Sequence, residues 1–346
     1  MRIFVYEYVT GGGFWSEPGS PTPGGSLLAE GTAMARSVVQ DFLRIPDVDV
    51  WTSLDRRLRS HRAAAEYCRT EEVDGASSEQ RVIEEFASSA DVTLLIAPET
   101  GGALWQRCKL VEACGGRLLG PDSDFVALAS NKDDVATHLQ ERNVPVPVTV
   151  ASPTDAPAHR FPLIVKPVDG AGSAGIQFIK NPEDVKTATG RRVEQFVPGT
   201  PASVAVIVNT QTQATPAVLQ RLTDDGTFRY LGGSLPLRPS LDARARQLAL
   251  RALDALPRAR GYLGVDLVLG DAEDGSQDVV IEINPRLTTS YVGLRAVADC
   301  NLAAAMLPAG PGSPPLRFHR TAVEFDANGA VRARQDVASS GQPALS

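Results

Sequence analysis

Residues 279–295 read VVIEINPRLTTSYVGLR. Side chains on an extended strand alternate faces. Ile281 and Ile283 are therefore expected on one face, with Glu282 and Asn284 on the other and Arg286 following them past Pro285. A carboxylate, an amide and a guanidinium then make one polar stripe backed by an apolar one. Burying that stripe without partners costs free energy. It must face water, or a ligand that takes oxygen donors and a positive charge. A hydrated metal ion carrying phosphates meets that description.

The segment GYLGVDLVLGD, residues 261–271, sets Asp266 inside an otherwise apolar strand. A buried Asp is rare unless it is paired or bound to metal. Asp274–Gly275 is a turn signal between this strand and the next. An antiparallel pair would let Asp266 share a face with Glu282. Two carboxylates and an amide oxygen suit Mg²⁺ that keeps some waters and takes its other ligands from phosphates. A solvated strand face with scattered acids is the other reading, and it leaves the apolar flanks unexplained.

PLIVKPVDGAGSAGIQFIK, residues 162–180, ends one β-run in Lys166–Pro167 and begins another at Ile176, with a small-residue loop between. Glycines there let backbone N–H groups close around an anion, and the lysine adds a point charge. A plain hairpin loop with an exposed lysine uses the same residues. VEQFVPGTPAS, residues 193–203, carries Glu194 before Phe196–Val197 and a Pro–Gly turn. Such an edge can present backbone groups and a carboxylate to a flat heterocycle, or simply end a strand.

Composition narrows the class. The 346 residues are 43% hydrophobic and 22% charged, enough for two or three cores. A net charge of −7 disfavours a nucleic-acid or anionic-membrane binder. Cys68, Cys108, Cys114 and Cys300 match no zinc spacing and read as reduced thiols. His61, His138, His159 and His319 are dispersed. No run reaches the roughly 20 apolar residues of a membrane span, so a soluble, cytoplasmic protein is expected. Trp15, Trp51 and Trp105 are expected to pack rather than stack on ligands.

Along the chain, 2–8, 48–53, 91–99 and 117–120 read as strands. Helical patterns stand at 26–43, 78–89 and 103–116. That alternation predicts a parallel sheet whose strand ends, at Glu7 and at Glu99–Thr100, face a ligand. Two short helices are expected over 122–143. The proline-rich stretch 144–162 then opens a strand-rich half with one long helix at 240–256 and a late strand at 321–326. The last ten residues are expected to be disordered.

In chain order the informative residues are a lysine, a glycine loop, Glu-x-apolar-apolar, Asp, and Glu-x-Asn-Pro-Arg. That order resembles the ATP-grasp superfamily over roughly residues 1–307. The resemblance implies an α/β N-terminal parallel-sheet domain (1–120) followed by an α+β ATP-grasp fold of two subdomains (121–192 and 193–307). A Pro/Gly-rich segment (308–346) ends the chain. It implies ATP and Mg²⁺, or Mn²⁺ in its place, as cofactors. Lys132 and Lys166 match the phosphate-binding lysines, and Gly172, Ser173, Ala174 and Gly175 match the loop over the phosphates. Glu194 and the backbone of Gln195, Phe196 and Val197 match the adenine contacts. Asp266, Glu282 and Asn284 match the metal ligands. Arg286 matches a catalytic arginine that meets the γ-phosphate or an acyl phosphate, and Ser290 lies where a carboxylate substrate is held. Pro201 replaces an acid that binds ribose in many relatives, and Gly264 replaces an arginine of one branch, whose task then falls to Arg286.

FVYEYVTGGG, SLLAEGTAMARSVVQDF, LLIAPETGG and GTPASVAV resemble the branch holding the tyramine–glutamate ligases of methanofuran synthesis, and the last also the pyrrolysine-pathway ligase. The resemblance implies a ligase that joins a carboxylate and an amine, such as glutamate and tyramine, through an acyl phosphate in one-carbon cofactor synthesis. Glu7, Glu99 and Thr100 would then bind the amine, although Glu7 also reads as a surface turn residue. Many members are dimers, which implies a homodimer. A bicarbonate-using carboxylase or carbamoyl-phosphate-type enzyme, and a non-catalytic nucleotide-binding module, are the other readings.

Overall fold

The computed structural model describes residues 1–61, 68–151, 161–170, 175–184, 190–308 and 315–334. Gly172, Ser173 and Ala174 of the glycine loop, His159 and the final ten residues lie outside the described residues.

Strands β1 (Arg2–Glu7), β2 (Asp49–Asp55), β3 (Arg69–Val73) and β4 (Val92–Ile96) form a parallel sheet in the order β3-β2-β1-β4. β1 is apolar from Ile3 to Tyr6 because both faces are covered. Ile3 and Val5 share a core with α1 (Gly25–Leu43), while Phe4 and Tyr6 share one with α2 (Ala76–Ser89) and α3 (Ala103–Ala113). The expected strand at 117–120 is only a parallel bridge, Leu118 to Thr93. Gly120–Pro121 ends it, since proline has no N–H to donate. β3, in turn, was hidden by its composition: RTEEV sits at the sheet edge, half-exposed, where charge is tolerated.

Helices α4 (Ser123–Ser130) and α5 (Lys132–Glu141) lead into a three-stranded antiparallel sheet, β6-β5-β7, of β5 (Leu163–Pro167), β6 (Gln177–Ile179) and β7 (Arg191–Gln195). β7 pairs with β5 along its whole length, so this sheet runs past residue 192.

The third sheet has eight strands, all pairing antiparallel: β8 (Thr200–Val208), β9 (Thr212–Ala214), β10 (Val218–Leu222), β11 (Tyr230–Leu235), β12 (Gly261–Leu269), β13 (Val279–Asn284), β14 (Val323–Asp326) and β15 (Val331–Ala333). The order is β13-β12-β8-β10-β11-β14-β15, with β9 on β8. The C-terminal segment thus completes this sheet through β14 and β15. One face packs on α6 (Pro239–Asp254), where Leu241, Ala245 and Leu248 meet Val204, Val206 and Val265. The other faces α7 (Ser290–Val297) and α8 (Leu302–Met306), two helices not expected from the sequence. Tyr291, Leu294 and Phe325 there belong to the same core as Ile3, Val38 and Phe42 of the N-terminal sheet and α1.

Candidate active site

β12 and β13 place Asp266 directly opposite Glu282 and Gly264 opposite Asn284. The shared carboxylate face is therefore real. The alternation is not perfect, because the register shifts after that pair and Leu267 faces Val280. Ile281 is left over as a bulge, and it lines the same cavity as Glu282 and Asn284 instead of joining Ile283 in the core. Gly264 is bare for a steric reason. A Cβ there would come within 2.6 Å of Thr288 Cγ2, so no arginine fits in its place.

A cavity of about 240 Å³ lies between the small sheet and the large one. Asp266, Glu282 and Asn284 form one wall; Lys132 and Lys166 approach from the other side. Lys132 is the first residue of α5, fixed there by Asn131, whose side chain accepts from the N–H groups of Asp133 and Asp134. Its Nζ lies 2.9 Å from Glu282 Oε1 and donates to the Gly170 carbonyl at 2.9 Å. Lys166 Nζ lies 2.5 Å from Glu194 Oε1, and Arg192 Nε donates to Glu194 Oε2 at 2.9 Å. Glu194 was expected to meet an exocyclic amine of adenine. It lines the cavity, and both its oxygens also hold cations, so that it fixes Lys166 in place. Gln195, Phe196 and Val197 do line the cavity, while Gly175 does not. Pro201 lines it too, so the cavity has no carboxylate at that position for a ribose.

Asp266 accepts from Gln220 Nε2 at 3.1 Å and from Asn284 Nδ2 at 3.2 Å. Burial, and then the neighbouring Glu282 charge, push its pKa up to about 6. Among the described residues no three His, Cys, Asp or Glu side chains gather as a metal nest. The donor set is two opposed carboxylates that repel each other, plus an amide oxygen. All are hard oxygen donors, and a cation would relieve the repulsion that raises Asp266, so the set fits Mg²⁺ completed by phosphate and water.

At the far end Arg286 projects into the cavity, its Nη2 donating to Glu99 Oε2 at 3.0 Å. Burial works against its charge, but Glu99, Glu282 and Asp266 outweigh that. Ser290 is buried, within 2.7 Å of Thr288 Oγ1 and 3.3 Å of the Tyr262 hydroxyl, and lines the cavity at the start of α7. Glu30 of α1 reaches the same end, accepting from Thr289 Oγ1 at 3.4 Å, its pKa raised by burial.

None of the three expected amine ligands lines this cavity; Glu99 meets it only through Arg286. Glu7 is buried and spent on its own turn, accepting from Val9 N at 3.1 Å and from Thr10 N and Oγ1, each at 2.7 Å. Thr100 is exposed and does not line it. Glu30 and Gln220 escaped the sequence reading. The one signal for Glu30 was an acid followed by glycine inside an otherwise apolar helix face. Trp15 packs as expected, with its indole N–H on the Val73 carbonyl at 3.3 Å and Arg57 over its ring.

The matches to known proteins agree with this geometry. A family model for an ATP-grasp domain covers residues 129–290, and one for a pre-ATP-grasp domain covers 48–126. The chain carries an ATP-grasp domain preceded by a pre-ATP-grasp domain. It is 24% identical over 329 residues to tyramine–L-glutamate ligase of Methanocaldococcus fervens, covering 94% of this chain and 99% of that one. It shares its fold with a putative ATP-grasp superfamily protein from Archaeoglobus fulgidus, with TM-score 0.72, 23% identity and coverage of 94% and 92%. The ADP complex of N5-carboxyaminoimidazole ribonucleotide synthetase superposes with TM-score 0.70 at 16% identity, over 93% and 80% of the chains. As an ATP-grasp ligase the chain is an enzyme that binds ATP. Among the described residues no helix is long and apolar enough to cross a membrane.

Proposed function

We propose that this ATP-grasp ligase joins a carboxylate to a primary amine as an amide, through an acyl phosphate, with ADP and phosphate as the other products. The observation that carries the reading is one cavity holding two unlike ends. Opposed carboxylates and two lysines stand at one end; at the other, Arg286 and Glu30 line the cavity, with Glu99 bonded to Arg286.

Adenine lies against the apolar walls near Phe196, with its edge on the backbone of Gln195–Val197. Lys132 and Lys166 take the phosphates. Asp266, Glu282 and Asn284 would hold Mg²⁺, which would neutralise phosphate oxygens. The substrate carboxylate sits at the N-terminus of α7, where Ser290 and the helix dipole favour an anion. Its oxygen attacks the γ-phosphorus and ADP leaves, with Arg286 holding the transferred group. The amine nitrogen then attacks the acyl carbon, the C–O bond to phosphate breaks, and the amine's proton passes to the acids beside it.

An amine suits this end better than bicarbonate does. Glu30 and Glu99 both stand by Arg286, so the acids outnumber the cation there. That surplus attracts an ammonium, which the bicarbonate reading does not need. The name of the M. fervens relative makes glutamate and tyramine the first pair to test. With Mg-ATP and that pair, ADP, phosphate and a γ-glutamyl amide by mass spectrometry are expected. AMP and pyrophosphate would replace the acyl phosphate with an adenylate. Bicarbonate-dependent ADP release in the absence of any amine would favour the carboxylase reading.

A further inference from the structure

A second cavity, about 350 Å³, opens beside the first. Glu99, Gly102, Trp105, Asn131 and Asp169 are among its walls. Asp169 lines both cavities, and its Oδ2 accepts from Gly101 N at 3.0 Å. Glu99 lines the second cavity, and its partner Arg286 lines the first. The Glu99–Arg286 pair therefore stands at the partition.

Glu99 is only 2% exposed, and its Oε1 is buried with no hydrogen-bond partner among the described residues. A buried carboxylate oxygen without a donor is costly, and the cost rises steeply if its one cation leaves. Arg286 has a spare donor too, since its Nε is also buried without a partner. A phosphate in the first cavity is a stronger, doubly charged acceptor for that guanidinium than a single carboxylate oxygen. Once Arg286 turns to phosphate, Glu99 lacks a cation. Trp105, 40% exposed, offers an aromatic surface on the same cavity's rim, which sequence reading had assigned to packing.

We infer that this side cavity is the docking site of the amine, a primary ammonium on an aromatic or apolar stem, and that nucleotide must bind first. The ammonium sits on Glu99 and the stem on Trp105. The exchange of Arg286 from Glu99 to phosphate creates the amine site. This inference rests on the ligase reading above.

The test compares wild type with Glu99→Gln and Trp105→Ala, using glutamate and Mg-ATP. Hydroxylamine, too small to need the side cavity, traps an acyl phosphate as a hydroxamate and reports whether the phosphate chemistry survives. The ratio of tyramine-dependent to hydroxylamine-dependent kcat/KM is expected to fall roughly tenfold or more in Glu99→Gln, as for loss of one desolvated charge contact. Trp105→Ala should raise the KM for tyramine more than that for methylamine. Calorimetry should detect tyramine binding to wild type only with a non-hydrolysable ATP analogue and Mg²⁺ present. Equal tyramine affinity with and without the analogue overturns the order of binding. Unchanged ratios in both variants overturn the amine site and leave the ligase reading standing. Failure of wild type to form hydroxamate or ADP with any carboxylate overturns the ligase reading, and the amine site with it.

Discussion

Asp266 shows what a single residue discloses. An acid inside GVDLVL was legible as a candidate ligand because nothing apolar could explain it. Its partner Gln220 was not, because a polar residue on a half-exposed strand needs no special reason. Its raised pKa makes a pH prediction. A carboxyl whose folded pKa lies above its unfolded value adds stability at low pH, and loses it as pH rises through about 6. Without divalent cations, the melting temperature should therefore fall between pH 5 and pH 7, and Asp266→Asn should flatten that slope. Mg²⁺ should raise the melting temperature more at pH 7.5 than at pH 5, where proton and metal compete for the same oxygens. A larger Mg²⁺ effect at pH 5 would remove Asp266 from the metal wall. Glu282→Gln removes both an oxygen proposed to hold Mg²⁺ and the ion partner of Lys132. ADP release should drop by about a hundredfold or more, in line with losses of single electrostatic groups, with the circular dichroism spectrum unchanged. Lys166→Ala should weaken ATP binding, measured by titration, since it removes a buried charge from the end proposed to hold the phosphates.

At the scale of elements, most of the strand and helix pattern was readable, and the failures have causes. β13 was read as a simple alternating strand, but the bulge at Ile281 turns an expected core residue into the cavity. Register between β12 and β13 is decided by tertiary pairing, which a single strand's sequence does not contain. α7 went unread because Ser290, its first residue, was considered only as a place where a carboxylate substrate is held. Glu7 was misassigned because a strand-end acid resembles a ligand. Only the neighbouring turn, with donors at Val9 and Thr10, makes it structural. α1 lies so close over this turn that a Cβ on Gly31 would come within 2.5 Å of Glu7 Oε1. Gly31→Ala should cost about 1–3 kcal/mol, as overpacking of a tight contact does, read from the urea midpoint. An unchanged midpoint would mean that α1 slides freely over β1.

For the whole molecule, the resemblance identified the parts but not how they are joined. Asp41, near the end of α1, accepts from the Tyr291 hydroxyl at 2.7 Å and from Arg295 at 2.9 Å and 2.6 Å, across some 250 residues of chain. In VVQDFL it looks like an ordinary solvated helix acid, and no local pattern announces so distant a partner. Asp41→Ala leaves Arg295 and Tyr291 without their acceptor and should cost about 3 kcal/mol, as breaking a buried pair does, measured by chemical denaturation. That bond reinforces a core which the N-terminal sheet shares with α7, α8 and β14. By contrast, among the described residues the small sheet β6-β5-β7 has a core of its own made of Leu163, Val165, Ile179 and Val193. So little buried apolar surface gives that sheet a low free energy of local opening. Its backbone amides should trade hydrogen for deuterium well before those of β1 or β12, and saturating nucleotide should slow them most. On that expectation the small sheet is a light hammer over a rigid anvil, free to move through a catalytic cycle without loosening the larger body.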